Sequence, residues 1–198
     1  MRIGIDIDGV LTNLEQYVLD NLSRYCVVNN IDYIIGKTYY DHCKTFNISK
    51  KDENDFWNIY LEVYAKEEKA RPYAAEVIKK LKEEGHEIYI ITARWLTNRD
   101  DDVGMNMRGL VQNWLQENDI VYDKLIFSKS SKENKFDEIV ENKIDLMIED
   151  SSDNINNLAK IIPVICYDTK YNKECCGDNI IRCYSWYDIY NKIGEFKN

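Results

Sequence analysis

An α/β fold, in which helices flank an open and mostly parallel sheet, is what the 198-residue sequence predicts, and three observations predict it. Short β-branched runs recur along the chain with amphipathic helical stretches between them. Acidic or hydroxyl residues stand where the first, second and fourth runs end, and open parallel sheets bind ligands at such ends. The third observation is a gap. About sixty residues of mostly helical pattern separate the first run from the second, although a parallel crossover needs only about a dozen. The excess, residues 13–72, reads as a small helical subdomain inserted after the first strand of a core made of 1–12 and 73–198.

Ile3, Ile5 and Ile7 form the first run, which ends in Asp6 and Asp8 before Gly9 lets the backbone turn. Side chains alternate along a strand, so two acids at this spacing point the same way while the chain stays extended. Bare carboxylates so close repel, and a Mg²⁺ ion, which prefers hard oxygen ligands, removes the conflict. Thr12-Asn13-Leu14-Glu15 has the form of a capping box, and Leu14, Val18, Leu22 and Tyr25 follow at helical spacing to about Asn29. Residues 32–49 are polar and weakly periodic. A helical pattern returns over 52–68 through Phe56, Ile59, Tyr60, Val63 and Tyr64, and Arg71-Pro72 interrupts it.

Val77, Ile78 and Leu81 make an amphipathic helix of 74–84, with Gly85 as its stop. The second strand, Glu87 to Thr92, runs into Ala93-Arg94 and places the Thr92 hydroxyl at the sheet's ligand-binding edge. Asn98 to Asp102 reads as a solvated polar loop, and a helix follows from Met107 to Asn118. Lys124 to Phe127 is the third strand. The loop after it carries Lys129, Lys132 and Lys135, the last opening a helix over 136–142. Asp145 to Ile148 is the fourth strand, followed by Glu149 and Asp150; Ser152 or Asp153 is expected to cap the helix through Ile155, Leu158 and Ala159. A fifth strand (163–167), a polar loop (168–179), a short edge segment (180–183) and a helix (185–193) complete the chain.

Composition narrows the function classes. A formal charge of −9 argues against a nucleic-acid polymer as partner, since such proteins carry a basic stripe. No apolar run is long enough to span a membrane, and no secretory signal is visible, so a soluble cytoplasmic protein is the expectation. Six cysteines without metal-ligand spacing are expected to be reduced, with Cys166 and Cys183 packing in strands and Cys175-Cys176 in an exposed turn. Oligomeric state is not legible.

Asp6-Ile7-Asp8-Gly9-Val10-Leu11-Thr12 resembles the first motif of the haloacid dehalogenase superfamily of phosphotransferases. Thr92 matches the second motif, a loop lysine the third, and Glu149-Asp150 the fourth, all in the family's order. The resemblance implies a Rossmann-like sheet with a helical cap that closes over the catalytic aspartates. It implies Asp6 as nucleophile, Asp8 as general acid/base, and Thr92 with Lys135 as holders of the phosphoryl oxygens, Lys132 and then Lys129 being the next choices. Mg²⁺ would be held by Asp6, the Asp8 carbonyl and Asp150, with Glu149 acting through water and Asp153 further out.

Within the superfamily the chain looks most like the 5′(3′)-deoxyribonucleotidase-like nucleotidases. A nucleoside monophosphate is then the expected substrate, and Tyr39, Tyr40, Phe56, Trp57, Tyr60 or Tyr64 could stack on a base. A sugar or polyol phosphate is the nearest alternative, and a non-catalytic binding module of the same fold the more distant one.

Overall fold

Strand-forming Ile, Val and Tyr runs end at polar residues, so each strand is short and its C-terminal residue meets the same edge of the sheet. The computed structural model describes residues 1–128 and 135–196. Among these, β1 (Arg2–Ile5), β2 (Glu87–Thr92), β3 (Lys124–Phe127), β4 (Leu146–Glu149), β5 (Val164–Tyr167) and β6 (Ile180–Cys183) form one sheet in the order β3-β2-β1-β4-β5-β6. Every pairing is parallel. Successive strands run outward from β1 on one side and then, from β4, on the other. The strand order therefore reverses between β1 and β4, and their C-terminal ends face the crevice where such sheets bind ligands.

Two apolar clusters cover the two faces of the sheet. Ile3 and Ile5 pack with α4 (Ala74–Glu83), α5 (Asp102–Glu117) and α8 (Trp186–Glu195) through Val77, Leu81, Val111, Trp114 and Trp186. Ile91, Met147 and Cys166 pack on the opposite side with α6 (Phe136–Asn142) and α7 (Ser152–Leu158). Gly4 faces the second of these clusters, where a Cβ would stand 2.6 Å from the Met147 sulfur.

The segment between β1 and α4 has a core of its own. α1 (Leu14–Val28), α2 (His42–Phe46) and α3 (Lys50–Glu67) enclose Tyr17, Val18, Leu22, Tyr25, Phe46, Phe56 and Tyr64. α3 also buries Leu61 and Ala65 against Met107 of α5, so it touches both the segment and the sheet's helical layer.

Several local expectations are corrected. The β1 ladder stops at Ile5 and the chain bends at Ile7, so Asp6 and Asp8 turn to different partners. The N-cap of α1 is Asn13, whose side chain accepts from the Gln16 amide; Thr12 is fully buried and bonds elsewhere. Asp101 caps α5, which starts inside the stretch read as a loop, because its carboxylate accepts from the Gly104 amide. Ser151 rather than Ser152 or Asp153 precedes α7, and Asp153 is exposed. On α3, Ile59 and Val63 are exposed while Leu61 and Ala65 are buried, since the helix is gripped on two sides rather than one.

Candidate active site

Strand ends bring Asp6, Glu149 and Asp150 together with Lys135, all buried, and the buried Thr92 ends the neighbouring β2. Asp6 follows β1, and its amide donates to the Ile148 carbonyl across the switch point at 3.1 Å. Lys135 stands before α6 in the left-handed region, with φ of +53°, a conformation uncommon for a non-glycine residue. Its Nζ donates to Asp6 Oδ1 at 2.6 Å and to Glu149 Oε2 at 2.8 Å. Lys135 is thus brought to the site; Lys129 and Lys132 lie outside the described residues.

Glu149 is fixed from four directions. Besides Lys135, the amides of Asp150 and Ser151 donate to its Oε1, each at 3.1 Å, and Asn154 Nδ2 donates to its Oε2. Asp150 accepts from the Tyr171 hydroxyl, and its carbonyl accepts from Asn172 Nδ2 at 2.8 Å. Gly9 is the residue that lets Asp150 come so near. A Cβ there would stand 1.9 Å from Asp150 Oδ2, and the backbone has φ of +90°.

Carboxylate oxygens of Asp6, Glu149 and Asp150 lie within 4.8 Å of one another. Burial pushes Asp6 up to about 7, with Glu149 and Asp8 adding to the rise and Lys135 opposing it. Burial also drives Asp150 well above the carboxylate range, helped by the charges of Glu149 and Asp6. Lys135 stays above its ordinary value because those acids outweigh its burial. Among the described residues three carboxylates face one ammonium, which leaves two negative charges uncompensated. A divalent cation with hard oxygen preferences fits that donor set and that deficit.

Asp8 lives in other surroundings. Arg94 donates to it from Nε, at 3.1 Å to Oδ1 and 3.2 Å to Oδ2, and from Nη2 to Oδ1. The Tyr64 hydroxyl, from α3, donates to Oδ1 at 2.8 Å and lies 2.6 Å from Thr12 Oγ1. Thr92 Oγ1 accepts from the Arg94 amide at 3.2 Å. Behind this turn Arg71 donates to the carbonyls of Gly9 and Thr12, each at 3.0 Å, and its guanidinium rests 4.3 Å from the Tyr167 ring centre. Sequence reasoning missed Arg94 and Arg71 and offers Tyr64 only as a ring to stack on a base, not as a donor to Asp8. Arg94 stood in plain view two residues past Thr92, whereas Arg71 was read only as the residue before a proline.

Asp8 and Arg94 open on a cavity of about 730 Å³. His42, Glu53, Trp57 and Tyr64 line it from the helical segment and Trp95 from the core. Of the six aromatics expected near a base, Tyr40, Trp57 and Tyr64 line the cavity, while Phe56 is fully buried and stacks on Tyr60 at 4.7 Å. Trp95 was not anticipated.

The family described as 5′ nucleotidase, deoxy (pyrimidine), cytosolic type C protein (NT5C) matches residues 1–197. A nucleotidase of Clostridium acetobutylicum is 31% identical over 98% of this chain and 93% of its own length. Among solved structures, a HAD-superfamily hydrolase from Ehrlichia chaffeensis superposes with a TM-score of 0.56 at 17% identity, covering 100% of this chain and 97% of that one. CbbY from Rhodobacter sphaeroides, in complex with phosphate, superposes at 0.60 with 13% identity, over 93% and 94%. These two likenesses show the fold. No helix among the described residues is long and apolar enough to cross a membrane. The chain belongs to the 5′ nucleotidase, deoxy (pyrimidine), cytosolic type C family, and it is a phosphatase of the nucleotidase kind.

Proposed function

We propose that the protein is a Mg²⁺-dependent phosphomonoesterase that hydrolyses nucleoside monophosphates through an aspartyl-phosphate on Asp6. One observation carries the nucleotide reading: the 730 Å³ cavity joins Asp8 and Arg94 to the rings of Trp57 and Trp95. Small-molecule sites span roughly 300–1,000 Å³, so a base, a sugar and a phosphate fit together. Indole faces suit a nucleobase. The family's description names deoxy and pyrimidine, which puts deoxypyrimidine nucleotides first among candidates.

Asp6 attacks phosphorus in line, the bond to the ester oxygen breaks, and that oxygen takes a proton from Asp8. Asp8 then takes a proton from the water that attacks phosphorus and frees Asp6. Lys135 keeps Asp6 paired and, with Thr92, would hold the equatorial oxygens where charge gathers. Thr92 accepts from the Arg94 amide, so its own proton is left to donate. Mg²⁺ held by Asp6, Asp150 and the Asp8 carbonyl would neutralise the phosphoryl charge. Residues 13–72 act as the cap that selects substrate, and six unpaired cysteines suit a cytoplasmic enzyme.

Phosphate release from ribo- and deoxynucleoside monophosphates and from sugar phosphates, with Mg²⁺, tests the reading. The highest kcat/KM is expected on a nucleoside monophosphate. Low, uniform rates on nucleotides beside a fast sugar phosphate would overturn it.

A further inference from the structure

The donors around Asp8 are unevenly shared between its two oxygens. Oδ1 takes the Tyr64 hydroxyl, Arg94 Nη2 and Arg94 Nε; among the described residues Oδ2 shares only the last of these, at 3.2 Å. A carboxyl oxygen with its lone pairs filled cannot also carry a proton, whereas its neighbour still can. From this geometry we infer that Asp8 Oδ2 is the oxygen that gives and takes the proton, and that Arg94 and Tyr64 are positioning residues that lock Oδ1 so that Oδ2 faces the leaving group. The inference rests on the proposed role of Asp8 as general acid/base.

Arg94 sits there at a cost. It is almost fully buried, and its Nη1 has no hydrogen-bond partner among the described residues. Burying a guanidinium with a nitrogen unsatisfied is costly, and a buried ion pair is often no more stabilising than apolar residues in place of both partners. What Arg94 supplies instead is a planar fork that fixes the rotation of one carboxyl group. Its guanidinium carbon also lies 4.9 Å from the centre of the Tyr64 ring, so the two positioning groups brace each other.

Tyr64 adds a condition. It belongs to α3, in the segment with its own apolar core, yet its hydroxyl reaches Asp8 and Thr12 of the loop after β1. Asp8 therefore has its full set of donors only when α3 sits against that loop. The proton carrier is aligned when the helical segment is seated over the site.

Leaving-group dependence separates this role from a merely structural one. An alkyl phosphate such as a nucleoside 5′-monophosphate needs a proton on the departing oxygen, whereas 4-nitrophenyl phosphate leaves as a stable phenolate. kcat/KM reports the step in which that bond breaks. Tyr64→Phe is expected to lower kcat/KM on the nucleotide about ten-fold, and Arg94→Lys about a hundred-fold, within the range for positioned acid/base groups. Losses on 4-nitrophenyl phosphate should be several-fold smaller, with KM for the nucleotide little changed. Equal losses on both substrates, or none, would overturn the inference. Asp8→Asn, measured alongside, distinguishes the failures. A selective loss there without one in Tyr64→Phe and Arg94→Lys overturns the positioning alone. An unselective loss in Asp8→Asn overturns the role of Asp8, and the positioning with it.

Discussion

Two buried acidic sites serve this enzyme, and they are built on opposite plans. Beneath the sheet's switch point, Asp6, Glu149 and Asp150 share, among the described residues, a single ammonium, that of Lys135. In the helical segment a lone carboxylate, Glu53, has three donors to itself: His42 Nδ1 at 3.2 Å, Cys43 Sγ at 3.1 Å, and Lys50 Nζ. Ionisation follows the arithmetic of donors. Burial pushes Asp6 up to about 7. Burial raises Glu53 too, but the hydrogen bonds from His42, Lys50 and Cys43 outweigh it and bring it down to about 2. A carboxylate that the chain has closed is structural; carboxylates left crowded await something the chain does not supply.

The comparison breaks most visibly at Asp6. Asp6→Asn is expected to reduce phosphate release on the order of 10⁴–10⁶-fold, while Tm holds or rises, because one of three crowded charges disappears. A steady-state assay beside a thermal melt reads both; a wild-type rate or a collapsed Tm would undo the contrast. Divalent cations come next. Chelation should abolish turnover, and Mg²⁺ at a hundred times its Kd should stabilise the protein by about 2.7 kcal/mol. Asp150→Asn should lose that gain and Glu53→Gln should keep it; calorimetry of each variant with and without the ion decides.

Glu53→Gln tests the other side. It removes the charge that three donors converge on and is expected to cost about 1–3 kcal/mol in urea unfolding. The smallest effect is in pH. Because Glu53 is depressed in the folded state, its contribution is fully present above the unfolded glutamate value of about 4.3 and is lost as pH falls toward about 2. The stability difference between wild type and Glu53→Gln should therefore be flat near neutrality and shrink over that acid window. A difference that grows on acidification would reverse the assigned sign.

The two sites also differ in how far they could be read from sequence. Asp6, Thr92 and Asp150 sit at or just past the ends of short strands, and β-branched runs mark those ends plainly. Lys135 was legible as the residue opening a helix, though its left-handed backbone was not. The Glu53 cluster depends on a five-residue helix, α2, set in a stretch with little periodicity, and on a contact between that helix and the first turns of α3. Nothing local announces such a meeting. Arg94 and Tyr64 lie 86 and 56 residues from Asp8, and only the topology brings them to it. The Thr12-to-Glu15 pattern misled for a related reason: the loop needs Thr12 facing inward to Tyr64, and Asn13 takes the cap. Tertiary demand overrode a sound local motif.

The central claim is that Asp6 becomes phosphorylated during turnover. Rapid acid quench of the enzyme with Mg²⁺ and its best nucleoside monophosphate, followed by peptide mass analysis, tests it directly. One added phosphoryl group is expected on the N-terminal peptide, at Asp6, and none in Asp6→Asn. A phosphoryl group at another residue, or full-speed turnover with none trapped at any quench time, would contradict it.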